Sequence, residues 1–134
     1  MTRAGSASSR RVLIVEDDET RCQWFRSRLP DRELDVTCDV AQATAWLAER
    51  HYDLILLDHD LTEEHYFSDV RDDERTGYAV AAWLAAHPQS QPGAQVVVHS
   101  LNYEGASRMC ALLTEAGYDA EHIPFPRLQS GLRF

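Results

Sequence analysis

The sequence contains no lysine: all 13 basic residues are arginines, against 22 aspartates and glutamates, and the formal net charge is −9. This excess of negative charge argues against nucleic-acid phosphate as a bulk partner, because such surfaces need many cations. A local anion-binding site beside a metal or a few arginines is still compatible with this net negative charge. The composition also excludes any site whose chemistry requires a lysine.

Cysteines and long apolar runs are scarce. Cys22, Cys38 and Cys110 are odd in number and widely spaced, so we expect reduced thiols rather than disulfides or metal ligands. Reduced thiols favour the cytoplasm. No apolar run approaches the ~18 residues of a membrane span, so no membrane partner is expected. Residues 1–9 are small and polar, and we predict a flexible tail there.

The remaining residues, 10–134, fit one domain, since 44% of the chain is hydrophobic and can fill a single core. Short apolar runs alternate along the chain with segments whose apolar residues recur at helical spacing. This order predicts an α/β architecture with a mostly parallel sheet and right-handed crossovers. Strands are predicted at residues 11–15, 34–37, 54–57, 95–99 and, as a weak edge strand, 121–125. Between residues 62 and 76 no apolar periodicity is present, which predicts a long exposed loop.

Acidic side chains follow the first and third predicted strands. The apolar run 54–57 is typical of a strand buried on both faces, and it ends in Asp58 and Asp60. Because the carboxyl ends of neighbouring parallel strands meet, Asp17 and Asp18 after the first strand should converge with Asp58. Carboxylate oxygens suit Mg²⁺ or Mn²⁺, and Asp60 offers one more. Alternatively, Asp17 and Asp18 cap the first helix.

Other polar residues stand at the same predicted edge. His59 and His99 each carry an imidazole, which is as compatible with a structural hydrogen bond as with proton transfer. Ser100 and Asn102 follow the fourth strand. They either hold a phosphate oxygen at the start of the fourth helix or only cap that helix.

The motifs VLIVEDDE, residues 12–19, and DLILLD, residues 53–58, resemble the two signatures of response-regulator receiver domains. The resemblance implies a flavodoxin-like, doubly wound five-stranded sheet of order 2-1-3-4-5. It also implies Mg²⁺ at Asp17 and Asp18, a phosphoryl-accepting Asp58 and a site serine at Ser100. The chain departs from that family in lacking the strand-five lysine, and its last helix should be short or absent.

A narrower resemblance covers the motifs LDHDL, TGY and HSLN, at residues 57–61, 76–78 and 99–102. They are similar to receiver variants predicted to process cyclic phosphates. This resemblance implies a small phosphate-containing molecule as the partner.

The leading hypothesis is therefore a metal-dependent, receiver-like domain, monomeric or dimeric, that binds or hydrolyses a phosphate ester, in particular a cyclic one. Its predicted residues are grouped by role: catalytic Asp58, His99 and His59; phosphate-binding Ser100 and Asn102; metal-binding Asp17, Asp18, Asp58 and Asp60. One alternative is a phosphoaccepting receiver served by a partner kinase. Another is a degenerate receiver that acts only as an interaction module.

Overall fold

Five strands and five helices alternate along the chain in the computed structural model, which describes residues 10–61 and 76–131. The strands are β1 Arg11–Val15, β2 Glu33–Thr37, β3 Leu54–Leu57, β4 Gln95–Val98 and β5 Asp119–His122. The helices are α1 Glu19–Arg28, α2 Val40–Glu49, α3 Gly77–Ala86, α4 Tyr103–Glu115 and α5 Phe125–Ser130. All strand pairs are parallel, in the order β2-β1-β3-β4-β5, which confirms the predicted fold.

The central strands β1, β3 and β4 are buried on both faces, as their continuous apolar runs predict. Side chains of a strand alternate between the two faces of its sheet. Val12, Ile14, Leu56 and Val97 accordingly share one cluster with Phe25 of α1 and with α5. The intervening side chains of β1, β3 and β4 pack against α2, α3 and α4 on the other face. The alternation therefore also predicts the face of the sheet to which the first residue after each strand points.

Side-chain caps begin four of the helices. Asp18, Asp39, Thr76 and Asn102 each accept a hydrogen bond from a backbone N–H in the first turn of α1, α2, α3 and α4, respectively. Such caps satisfy N–H groups that have no partner inside the helix. The predicted cap at Asn102 is thus present. Within residues 10–61 and 76–131, no helix combines the length and apolar character needed to cross a bilayer.

The chain after β4 differs in detail from the prediction. The fifth strand is Asp119–His122 rather than residues 121–125, and the short helix α5 begins at Phe125. Pro126 fits the first turn of α5, where its missing N–H has no helical partner in any case. The expectation of a short last helix is confirmed. The predicted long loop lies outside the described residues except for Thr76, which caps α3.

Gly77 lets α3 begin directly against the chain that leaves β3. Its N–H donates a hydrogen bond to the His59 carbonyl at 2.8 Å. A Cβ atom at this position would lie 1.7 Å from the Asp58 carbonyl oxygen, so a larger residue requires the backbone to move. The position of α3 relative to Asp58 therefore depends on the absence of a side chain at residue 77.

We predict that Gly77→Ala destabilises the fold by at least about 2 kcal/mol, since overpacking against backbone forces backbone shifts. Urea denaturation at neutral pH would measure the loss. Gly131→Ala is the matched control, because a Cβ atom there meets no atom within 4 Å. Equal stability of the two variants would contradict the close contact.

Candidate metal and phosphate site

Three buried polar side chains meet at the carboxyl edge of the sheet. Glu16, Asp58 and His99 are the first residues after β1, β3 and β4, and their exposed fractions are 2%, 4% and 1%. One ligand atom from each lies within 4.8 Å of the others. All three continue the strand alternation onto the face that α1 and α5 cover. The predicted residues Asp58 and His99 are thus brought together, along with Glu16.

The Glu16 carboxylate accepts five hydrogen bonds. Its Oε1 accepts from His99 Nε2 at 2.7 Å and from Arg21 Nε at 3.0 Å. Its Oε2 accepts from Arg21 Nη2 at 3.2 Å and from the backbone N–H groups of Asp17 and Asp18 at 3.1 and 3.0 Å. Burial by itself would raise the pKa of Glu16, but His99, the backbone donor and Arg21 together lower it to about 2. Glu16 is therefore a buried carboxylate that remains ionised at neutral pH.

The His99 ring is fixed on one side by Glu16 and on the other by aromatic rings. An ionised Glu16 requires His99 to donate from Nε2. Nδ1 is buried and has no hydrogen-bond partner within the described residues. Phe25 packs edge-on against the ring at 5.1 Å between centroids. The imidazole is held in one orientation, with one nitrogen left unsatisfied.

Hydrogen-bond donors and a second acid, Glu16, surround the carboxylate of Asp58. Its Oδ1 accepts a hydrogen bond from the His59 N–H at 2.9 Å, and its Oδ2 lies 3.6 Å from Arg21 Nη2. Burial raises the pKa of Asp58 to about 7, although the charges of His99 and Arg21 and a hydrogen bond from Ser100 oppose the rise, and the charge of Glu16 adds to it. Asp58 is thus only partly ionised at neutral pH unless a cation joins it.

Asp17 and Asp18 have different surroundings, although they are adjacent. Burial and the neighbouring Glu16 raise the pKa of Asp17 to about 6, and its buried Oδ1 has no partner in the described parts of the chain. Asp18 is exposed, and its Oδ1 accepts a hydrogen bond from the Arg21 N–H at 3.0 Å as the cap of α1. The alternative role of helix cap therefore applies to Asp18 and not to Asp17.

His59, Asp60 and Asn102 form a second group at the start of α4. His59 Nδ1 lies 2.9 Å from Asp60 Oδ1 and 3.3 Å from Asn102 Nδ2. The ring packs so tightly on Gly105 that a Cβ atom there would lie 2.5 Å from His59 Cδ2. Asn102 Oδ1 accepts the Gly105 N–H. These contacts hold His59 and Asp60 against α4, apart from the cluster of Glu16, Asp58 and His99.

Ser100 connects the two groups. Its hydroxyl oxygen accepts the Asn102 N–H at 2.9 Å, and its hydrogen bond to Asp58 opposes the rise in the pKa of that acid. Ser100 is 2% exposed. The hydroxyl thus lies between Asp58 and the first turn of α4, which is the position where the sequence pattern predicted either phosphate binding or a helix cap.

Two site residues, Glu16 and Arg21, were missed in the sequence. The alternation of β1 contained the signal for Glu16, because residues 12, 14 and 16 share the face of residues 54, 56 and 58. Arg21 had a weaker signal. It is one of several arginines in and around α1, and only the structure shows that its guanidinium turns back to Glu16.

The residues that are present suit a divalent cation. Glu16 lies next to Asp17 in the chain and meets Asp58 in the cluster, and its charge adds to the effect of burial in raising the pKa of both aspartates. The buried, unpartnered Oδ1 of Asp17 adds an oxygen that has no other acceptor role in the described structure. Carboxylate oxygens are hard ligands of the kind that Mg²⁺ and Mn²⁺ bind. The donor set therefore fits either ion.

A parallel sheet of order 2-1-3-4-5 with acids after β1 and β3 defines a receiver-type domain. Within that class, residues 12–115 match the family model described as the cyclic-phosphate processing receiver domain, and the chain belongs to this family. The resemblance stated from the sequence motifs is thereby confirmed. No curated protein sequence matches the chain.

Solved receiver domains share the fold at low sequence identity. A CheY-like receiver domain from Methanospirillum hungatei is 20% identical, with a TM-score of 0.59 over 89% of this chain and 83% of that chain. TrrA from Thermotoga maritima, in complex with Mg²⁺ and BeF, is 18% identical, with a TM-score of 0.61 over 90% and 94%. The receiver domain of a Pseudomonas aeruginosa sensor histidine kinase, with a magnesium ion in its active site cleft, is 19% identical, with a TM-score of 0.60 over 91% of each chain.

Asp58→Asn should stabilise the metal-free protein at alkaline pH. The pKa of Asp58 is about 7 in the folded protein against an ordinary 3.8, so the unfolded chain loses this proton more readily than the folded protein does. The resulting destabilisation is absent below about pH 4, grows between pH 4 and pH 7 and is constant above pH 7. We expect a gain of up to about 4 kcal/mol at pH 8 that disappears at pH 4. Urea denaturation in EDTA would measure it.

The exposed Asp31 supplies the matched control. Asp31→Asn should leave the pH dependence of stability as it is in the parent. An Asp58→Asn gain that stays constant from pH 4 to pH 8 would show that the charge of Asp58 is not its cause.

Proposed function

We propose that this domain binds a divalent cation and uses it to bind and hydrolyse a phosphate ester, with cyclic phosphates as the leading substrates. One observation carries the proposal: Asp58 is buried beside the ionised Glu16, with a pKa raised to about 7. An acid in such a position lowers its free energy by gaining a cation. Membership of the cyclic-phosphate processing family supports the choice of substrate class.

In this proposal Asp17 and Asp58 supply the principal metal oxygens. Glu16 contributes negative charge while it keeps His99 and Arg21 in place, since its two oxygens already accept five hydrogen bonds. Asp18 remains the cap of α1 and Asp60 the partner of His59. When bound, Mg²⁺ or Mn²⁺ supplies Lewis-acid activation of the phosphoryl group.

Hydrolysis of a cyclic phosphate forms one P–O bond to water, breaks one P–O bond of the ring and moves a proton from the water to the leaving oxygen. Two imidazole and carboxylate pairs are available for that proton, His99 with Glu16 and His59 with Asp60. Each carboxylate orients its imidazole, as general acid–base catalysis requires. Ser100 and Asn102, at the start of α4, are assigned to phosphate oxygens.

Metal binding should raise the melting temperature, because a ligand that binds only the folded state stabilises it by mass action. At a hundred times the dissociation constant, the gain is about 2.7 kcal/mol. Thermal melts with and without MgCl₂ or MnCl₂ would measure it. Asp58→Ala should remove the metal-dependent gain while the variant still melts cooperatively. A variant that responds to metal as the parent does would exclude Asp58 as a ligand.

The enzymatic part of the proposal predicts metal-dependent opening of at least one compound in a panel of 2′,3′-cyclic and related cyclic phosphates. Asp58→Asn and His99→Ala should each lower the rate strongly, and loss of a proton-transferring histidine commonly costs about 10²–10⁴-fold. Product formation would be followed by chromatography, with parallel His59→Ala reactions to separate the two histidines. His87→Ala serves as the control, since that exposed ring contacts Trp83 on α3.

Labelling by acetyl phosphate decides between this proposal and a phosphoaccepting receiver. We expect little stable label on Asp58, because no lysine is present to offset the charge of an aspartyl phosphate. Stoichiometric labelling that depends on Asp58, with no turnover of any cyclic phosphate, would make the domain a signalling receiver instead. Mass spectrometry of the intact protein would report the label.

A further inference from the structure

Arg21 places a guanidinium group inside the acidic cluster. Its Nε and Nη2 donate to Glu16 at 3.0 and 3.2 Å, and Nη2 lies 3.6 Å from Asp58 Oδ2. The side chain is 19% exposed, and its guanidinium carbon lies 5.9 Å from the centroid of the Phe125 ring. Arg21 is thus a mostly buried cation with two acidic partners at the carboxyl edge of the sheet.

No other arginine of the described residues shares this position. Arg26, one turn further along α1, pairs with the exposed Glu19 at 3.8 Å. Arg108 on α4 pairs with the exposed Glu104 at 3.5 Å. Within residues 10–61 and 76–131, the arginine ion pairs of Glu16 and Asp58 are made by Arg21. A matched arginine on the same helix, Arg26, is therefore available for comparison.

A divalent cation and Arg21 are attracted to the same carboxylates. An ion bound to Asp58 neutralises the charge that holds Nη2 near Oδ2, and it adds repulsion between two cations in one crevice. The excess positive charge is relieved when an anion enters. A planar guanidinium matches two oxygens of a phosphate in the same way as it matches the two oxygens of Glu16.

We infer that Arg21 is a further anion-binding side chain of this site, beside Ser100 and Asn102: it pairs with Glu16 and Asp58 in the metal-free protein and with a phosphate oxygen once a divalent cation occupies Asp58. The inference rests on the proposed function, because it requires the metal and phosphate site. In this arrangement Arg21 weakens the binding of metal alone, and it strengthens the binding of phosphate to the metal-loaded protein.

The test compares the parent, Arg21→Met, Arg21→Lys and the control Arg26→Met. Thermal melts would be followed first during titration with MgCl₂ alone. Sodium phosphate would then be titrated at saturating Mg²⁺, against sodium chloride at matched ionic strength. Arg21→Met should bind Mg²⁺ several-fold more tightly and phosphate about tenfold or more weakly than the parent, since a hydrogen bond to a charged group commonly contributes such a factor. Arg26→Met should behave as the parent.

Arg21→Lys keeps the charge and loses the planar fork, so its affinity for phosphate should fall between those of the parent and Arg21→Met. If Arg21→Met does not melt cooperatively, this variant carries the test. Phosphate affinity equal to that of the parent in a folded Arg21 variant would overturn the inference and leave the metal site standing. A parent that gains no stability from Mg²⁺, alone or with phosphate, would overturn the proposed function and this inference together.

Discussion

The buried Glu16 carboxylate is the interaction on which the rest of the site depends. Its five hydrogen bonds come from the turn after β1, from Arg21 of α1 and from His99 after β4. Removing one partner of a buried charge leaves the other uncompensated, and such losses commonly cost about 3–5 kcal/mol. A single ionised side chain thus fixes the relative positions of two strand ends and a helix.

The acids of the site differ in the direction in which their pKa values are shifted. Five hydrogen bonds and two neighbouring cationic side chains lower the pKa of Glu16 to about 2, whereas burial, with the charge of Glu16 added to it, raises the pKa values of Asp58 and Asp17 to about 7 and 6. Acids whose environments separate their pKa values in this way take different chemical roles. Here one acid organises its neighbours, and a cation beside the other two would stabilise their ionised forms.

The sequence was sufficient for the parts of the structure that depend on local pattern. Continuous apolar runs located β1 and β3, and the acids that end them predicted that these two strands are neighbours with Asp58 at their carboxyl edge. The full order of the sheet came from the resemblance to receiver domains. Glu16 was missed because four consecutive acids, residues 16–19, follow β1, and only Asp17 and Asp18 among them were assigned to the site. Arg21 could not have been assigned in this way, because the direction of a long flexible side chain is set by tertiary partners. The edge strand β5 begins two residues and ends three residues earlier than predicted, because Ala120 is the one apolar residue among its four and leaves little apolar pattern to read.

The two glycines that face the segment after β3 have an evolutionary consequence. Gly77 lies against the Asp58 carbonyl and Gly105 against the His59 ring, so α3 packs on the backbone of this segment and α4 packs on its imidazole. A homologous chain with a larger residue at either position has to set that helix farther from the sheet. The spacing of these two helices from the sheet and the position of the acidic segment are thus set by the same two contacts.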